Sequence, residues 1–295
     1  MWTSTTYGNG KFVAVCNSNI AAYSEDGITW TSTKMPIGNG VRSATYGNGK
    51  FVALPVSKSS TAAYSEDGIT WTTTTMPETA NWFAATYANG KFVAVASSAS
   101  KAAAYSEDGI TWTATTMPAS DNWHAVAYGN GKFVAVASST AAYSEDGITW
   151  TTTTMPTSDD WYAATYGNGK FVAVANSSST AAYSEDGITW TATTMPTSAN
   201  WRIVAYGNGK FVAVSYATGT TAAYSEDGIT WTATTMPTSV YWKSATYGNG
   251  KFVAVCNSNI TAYSEDGITW TDHVEAITMN GIDVTNQIRK LLGGF

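Results

Sequence analysis

The sequence predicts an all-β fold: a seven-bladed β-propeller of four-stranded antiparallel blades, with a short C-terminal tail containing a small helix. Three observations predict it. The heptapeptide Ser-Glu-Asp-Gly-Ile-Thr-Trp occurs seven times unchanged, its Trp falling at residues 30, 71, 112, 150, 190, 231 and 270. A second block, Tyr-Gly-Asn-Gly-Lys-Phe-Val-Ala, also recurs seven times, beginning at Tyr7, Tyr46, Tyr87, Tyr128, Tyr166, Tyr206 and Tyr247, with edits as small as Ala88 for the first Gly. The composition, with 13 Trp, 17 Tyr and abundant Thr and Ser, suits the pleated surface of a sheet. A repeat of 38 to 41 residues that divides into four strand-sized pieces is the size of one propeller blade.

The third copy justifies each element in order. Trp82 to Tyr87 forms the first strand, and Asn89-Gly90 the two-residue turn whose positive φ angles these residues tolerate. Lys91 to Ala96 is the second strand. Its run Phe92-Val93-Ala94-Val95 is apolar on both faces, where a half-solvated strand would alternate, so it is covered on both sides. Ala102 to Ser106 is the third strand, Glu107-Asp108-Gly109 the next turn, and Ile110 to Thr115 the fourth strand. Met117-Pro118 is expected to break the pairing and lead to the next repeat. On this reading residues 1–271 hold blades at about 2–36, 41–77, 82–118, 123–156, 161–196, 201–237 and 242–271. Ring closure is left open between continuous blades held by side-chain packing and a strand lent by the tail.

The heptapeptide resembles the Asp-box of sialidase-like propellers, whose usual pattern is Ser-x-Asp-x-Gly-x-Thr-Trp; here the residue between Asp and Gly is missing. The resemblance implies a turn between the third and fourth strands. Asp and Ser bond the turn backbone, Gly supplies an unusual φ, and Trp packs between blades. Seven identical copies of Asp26, Asp67, Asp108, Asp146, Asp186, Asp227 and Asp266 are expected to be structural, because an active site needs unlike residues converging on one point.

Catalysis is not expected. A sialidase of that family would use three arginines, and the chain has only Arg42, Arg202 and Arg289, the last outside the ring. A general glycoside hydrolase would need two carboxylates flanking the bond. Outside the boxes the ring offers Glu78, Asp121, Asp159 and Asp160, all in loops leading to a first strand. No Walker loop, zinc spacing or Ser-His-Asp order occurs, and His124 and His273 are too few for a metal site, so neither metal nor cofactor is expected. Cys16 and Cys256 read as small buried residues rather than a bridge.

The net charge is −6 and no basic stripe occurs, which argues against nucleic acid as a partner. No apolar run approaches a membrane span. The N-terminus enters the first repeat at once, so no signal peptide is expected, and the predicted location is extracellular or virion-associated, reached without such a signal.

Differences among the copies concentrate in the loops between strands two and three and in those leading to the next first strand. Blade connections alternate between the two ends, so these loops share one face and the unvarying turns share the other. The residue after each first-strand Trp is in turn Thr3, Arg42, Phe83, His124, Tyr162, Arg202 and Lys243. These side chains are expected to ring the mouth of a central channel. Trp82, Trp123, Trp161, Trp201 and Trp242 stand beside them and are expected to be half-buried candidate ligand contacts. Large aromatic and cationic residues dominate binding energetics, and aromatic faces suit sugar rings. The predicted function is therefore a non-catalytic recognition module binding a cell-surface glycan or protein through its variable face. Residues 272–295 would anchor it, as an attachment segment or through a homo-oligomer. Thr285 is placed to cap a short helix bearing Ile288, Leu291 and Leu292. A ring with an attachment segment is similar in arrangement to recognition or decoration proteins of bacteriophages and bacterial surface apparatus. The alternatives are a structural spacer in an assembly and a glycoside hydrolase.

Overall fold

The computed structural model describes residues 1–138, 140–274, 278–279 and 282–283. Every repeat builds antiparallel strands in sequence order, but they do not all form separate blades. Five sheets have four strands, and one has seven. The seven-stranded sheet runs from Val41–Gly47 to Thr113–Asp121 through one continuous strand, Thr72–Ala88, which is the outer strand of the second repeat and the inner strand of the third. The expectation of seven separate four-stranded blades is corrected accordingly, to five such blades and one double-length sheet.

The physical reason is that in the second repeat the Met-Pro segment does not break the strand and Asn81 carries it into the next ladder. Pro77 stays extended on an outer strand, where a missing N–H is tolerated, and pairing resumes at Ser59 opposite Ala80 after a register shift. Asn81 then joins the next ladder opposite Ser97, and its side-chain amide donates to Ser97 Oγ at 3.0 Å and Ser98 Oγ at 2.9 Å. In the third repeat the outer strand likewise passes through Met117-Pro118 to Asp121. There Asn122 instead accepts the N–H groups of Ser98 and Ala99, and the ladder is interrupted for one residue.

No helix occurs among the described residues, so the C-terminal helix forms no part of the fold seen here; the segment predicted to form it, from Thr285, lies outside them. Thr278–Met279 pairs antiparallel with Ile282–Asp283.

The first strands neighbour one another in cyclic order, and the last, Trp242–Gly248, lies beside the first, Trp2–Gly8. At that junction Thr5 N–H donates to Ser244 Oγ at 3.1 Å. Both terminal repeats keep four strands of their own, so closure rests on packing between them. The doubly apolar second strands are the core: Phe12, Phe51, Phe92, Phe133, Phe171, Phe211 and Phe252 are fully buried, each sheet covering its neighbour.

Much of the unvarying sequence serves these junctions. The turn Asn of one repeat donates its amide to the Glu carbonyl in the heptapeptide of the following repeat, as Asn48 does to Glu107 at 3.1 Å and Asn130 to Glu185 at 3.1 Å. An outer-strand Thr donates to the carbonyl of the heptapeptide Ile in the following repeat, as Thr33 does to Ile69 at 2.7 Å.

Within each heptapeptide the carboxylate organises the turn. Asp26 Oδ1 accepts from Ile28 N–H at 2.8 Å, Thr29 N–H at 2.8 Å and Ser24 Oγ at 2.9 Å, while Gly27 N–H donates to Ser24 Oγ at 2.8 Å. Burial opposes ionisation of Asp26, but the bonds from Thr29, Ile28 and Ser24 together outweigh it and lower its pKa from 3.8 to about 2. The other six copies are shifted in the same direction by the same contacts. A carboxyl depressed in the folded state binds protons more readily in the unfolded chain. Its contribution is therefore complete above pH 3.8 and lost as the pH falls towards about 2. Thermal melts followed by circular dichroism should show stability collapsing across that window. Asp108→Asn should lower stability at neutral pH and flatten the acid dependence. An unchanged acid profile would show that the turns do not control acid unfolding.

Candidate functional site

The residue after each first-strand Trp sits where the chain enters the inner strand from the variable loops. In the structure Thr3, Arg42, Phe83, His124, Tyr162, Arg202 and Lys243 all line one cavity of about 270 Å³. Val56 and Tyr216, from loops between second and third strands, line it too, so both sets of variable loops reach the same mouth.

The side chains interlock across repeat boundaries. The Arg42 guanidinium lies 4.5 Å from the Phe83 ring centroid. Phe83 meets His124 at 5.0 Å and Tyr162 at 5.7 Å, and His124 meets Tyr162 at 4.5 Å. Arg202 is held between two rings, 4.4 Å from Tyr162 and 4.7 Å from Tyr216. Lys243 lies 4.0 Å from the Tyr216 ring and donates to its hydroxyl. Such contacts pre-position cations that in open water would be mobile. Thr3 turns its hydroxyl to the Val15 and Val41 carbonyls at 3.0 and 2.6 Å.

A polar chain supports the ring from behind. Arg202 Nε donates to Asn176 Oδ1 at 2.9 Å, and the Asn176 amide donates to Asp160 Oδ2 at 3.1 Å. Asp160 Oδ1 lies 3.6 Å from His124 Nδ1, which is also 3.2 Å from the Trp161 carbonyl. A carbonyl only accepts, so Nδ1 carries the proton there. Burial lowers the His124 pKa below 6.5; Asp160 and the Trp161 carbonyl resist, and Arg202 adds to the depression. Burial also raises the Tyr162 phenol, with Arg202 and Arg42 opposing.

The five tryptophans have a different place. Trp82, Trp123, Trp161, Trp201 and Trp242 are 0% exposed and do not line the cavity, so the expectation of half-buried ligand contacts is corrected. Adjacent residues of a strand point to opposite faces, which puts each Trp between sheets while its successor reaches the channel. Each indole N–H donates to the carbonyl four residues earlier, as Trp161 does to Thr157 at 3.2 Å.

Sequence reasoning missed Tyr216, which holds two cations, and the supporting role of Asn176 and Asp160. Tyr216 carried a signal: it is the one aromatic residue at its loop position, where other copies have small or polar residues.

The chain resembles several solved structures. Virginiamycin B lyase from Staphylococcus aureus matches with a TM-score of 0.77 and 12% identity, over 86% of this chain and 91% of that one. YCF48 bound to D1 peptide matches with a TM-score of 0.65 and 14% identity, over 92% and 91%. Sqt1 of Saccharomyces cerevisiae matches at 0.64 and 11%, over 93% and 85%. The chain has a β-propeller fold. No protein-family model and no curated protein sequence matches it. At these identities the propeller likeness carries the fold alone. It nevertheless corrects the exclusion of catalysis drawn from the sequence: a lyase is built on this architecture, so neither the repeated sheets nor a missing glycosidase pair rules an enzyme out. The likeness establishes no reaction for this propeller either.

Proposed function

We propose that the chain is a recognition module whose variable face binds a partner, a cell-surface glycan or protein, at the mouth of the channel. One observation carries the reading: seven positions that differ from copy to copy line a single cavity, while the turns at the opposite ends of the strands repeat without change. Free drift would scatter differences over all exposed positions. Glu25 and its equivalents are exposed and unvaried, and the junction bonds to that residue use its carbonyl, which any residue supplies. A protein partner gains support from YCF48, a propeller solved with a peptide bound. The likeness of the heptapeptide to the Asp-box, an extracellular or virion-associated setting and anchoring through residues 272–295 belong to the same reading.

The test is a binding screen against glycans and surface proteins, with the native chain beside a variant carrying Phe83→Ala, His124→Ala, Tyr162→Ala and Arg202→Ala. Partner binding should disappear in the variant while its circular dichroism stays that of a folded sheet protein. Retained binding by a folded variant would remove the mouth from consideration.

A further inference from the structure

We propose that the cavity receives a carboxylate carried on an acidic peptide segment of the partner, an inference that rests on the channel mouth being the binding face. The chain carries a net charge of −6, yet Arg42, Arg202 and Lys243 converge on this one concavity, and among the described residues no acidic one lines it. Among the described residues none of the three is ion-paired with a carboxylate within 4.0 Å; the nearby Asp160 faces His124 and Asn176. Like charges gathered in a recess bounded by low-dielectric walls focus a field that attracts the opposite charge.

The stacking of the arginines decides which part of them is available. Phe83 lies against one side of the Arg42 guanidinium, and Tyr162 and Tyr216 flank that of Arg202, so what each can offer a carboxylate is the N–H groups that no protein acceptor takes. Arg202 spends Nε on Asn176, leaving its two terminal nitrogens. Arg42 spends one terminal nitrogen on the Val56 carbonyl at 3.3 Å.

The same stacking argues against a sugar as the occupant. Sugar rings dock on open aromatic faces, but the Phe83, Tyr162 and Tyr216 rings are already engaged by cations or by one another. Among the described residues the lining also has no carboxylate or amide side chain to take a pair of sugar hydroxyls, and its side-chain acceptors are single hydroxyls and one imidazole nitrogen. Ala84, Ala125, Ala163 and Ala164 supply methyl walls instead. A short aliphatic stem ending in a carboxylate, as on a glutamate side chain, fits walls of this kind.

Ligand-observed NMR on the full chain tests this with acetyl-Glu-Glu-amide, acetyl-Gln-Gln-amide and glucuronate as probes. The Glu probe should bind, weaken as salt rises from about 0.05 to about 0.5 M, and outcompete glucuronate; the Gln probe should not bind. Arg202→Gln and Lys243→Gln should each weaken the Glu probe about tenfold or more, the scale of one charge-assisted bond. Arg202→Lys should fall between, keeping charge without the fork. Thermal midpoints establish that each variant is folded, and the salt and Gln-probe arms use the native chain alone. Equal binding of the Gln probe, insensitivity to salt, or tighter binding of glucuronate would overturn the assignment. Glu-probe binding without any partner capture would leave this site standing and defeat only the wider recognition reading. Partner capture that depends on the mouth, with no Glu-probe binding, would do the reverse.

Discussion

Trp123→Ala should be the most damaging single truncation in the ring, costing about 3–5 kcal/mol, the scale of a large aromatic removed from a closed core. Trp123 has no exposed surface and packs with Val93, Val95, Ala103 and Met117 of the preceding repeat and Phe133 of its own. Its removal would leave a cavity that strands on both sides are hydrogen-bonded too firmly to fill. It would also strip the Ala119 carbonyl of the indole N–H that reaches it at 3.3 Å. For a domain of this size the melting temperature should fall by on the order of 10 °C. Trp150→Phe is the control. The heptapeptide Trp150 is 7% exposed and its indole N–H has no protein partner, so an aromatic exchange there loses no hydrogen bond and should cost far less. Urea titrations of both variants measure the difference. Similar losses would show that the inner tryptophans are not the special anchors their burial implies.

What the sequence made legible follows from what acts locally. The Asn-Gly turns, the doubly apolar second strands and the heptapeptide turns each depend on residues a few positions apart, and each could be read from one copy. The convergence of Thr3, Arg42, Phe83, His124, Tyr162, Arg202 and Lys243 on one cavity was legible because repetition supplied the geometry: equivalent positions in a closed ring must meet. The junction bonds were not legible, since Asn48 meets Glu107 and Thr33 meets Ile69 only after neighbouring sheets have stacked. The fused sheet was hidden for a similar reason. Met-Pro stands in six repeats, and what distinguishes the second is the pair of bonds from Asn81 to Ser97 and Ser98, not the proline. The full burial of the first-strand tryptophans was not legible: alternation along a strand sends them to the face opposite the variable residues, but only stacked sheets show how completely the indoles are closed over. The order of stacking, with Arg202 between Tyr162 and Tyr216, depends on which rotamer reaches which neighbour, and no local pattern records that.

Gly147→Ala against Gly131→Ala separates two reasons for glycine that one sequence pattern conceals. Both residues have positive φ, +74° and +77°, and an L-residue there is strained by about 1–2 kcal/mol. Around Gly131 nothing lies within 4 Å of the position an added Cβ would take, so that strain is the whole expected cost. An added Cβ at Gly147 would lie 2.8 Å from Val93 Cγ2 and 3.2 Å from Phe133 Cε2. Both side chains are fully buried, and neither has room to withdraw. Overpacking of this kind adds about 1–3 kcal/mol, so Gly147→Ala should cost roughly twice what Gly131→Ala does. Val93 belongs to the preceding repeat, so the excess measures how tightly one sheet is pressed onto the next. If chemical denaturation finds the two variants equally stable, the sheets have slack at this junction. The inner strands would then lack the rigidity needed to hold Arg42, Arg202 and Lys243 in a fixed arrangement around the channel.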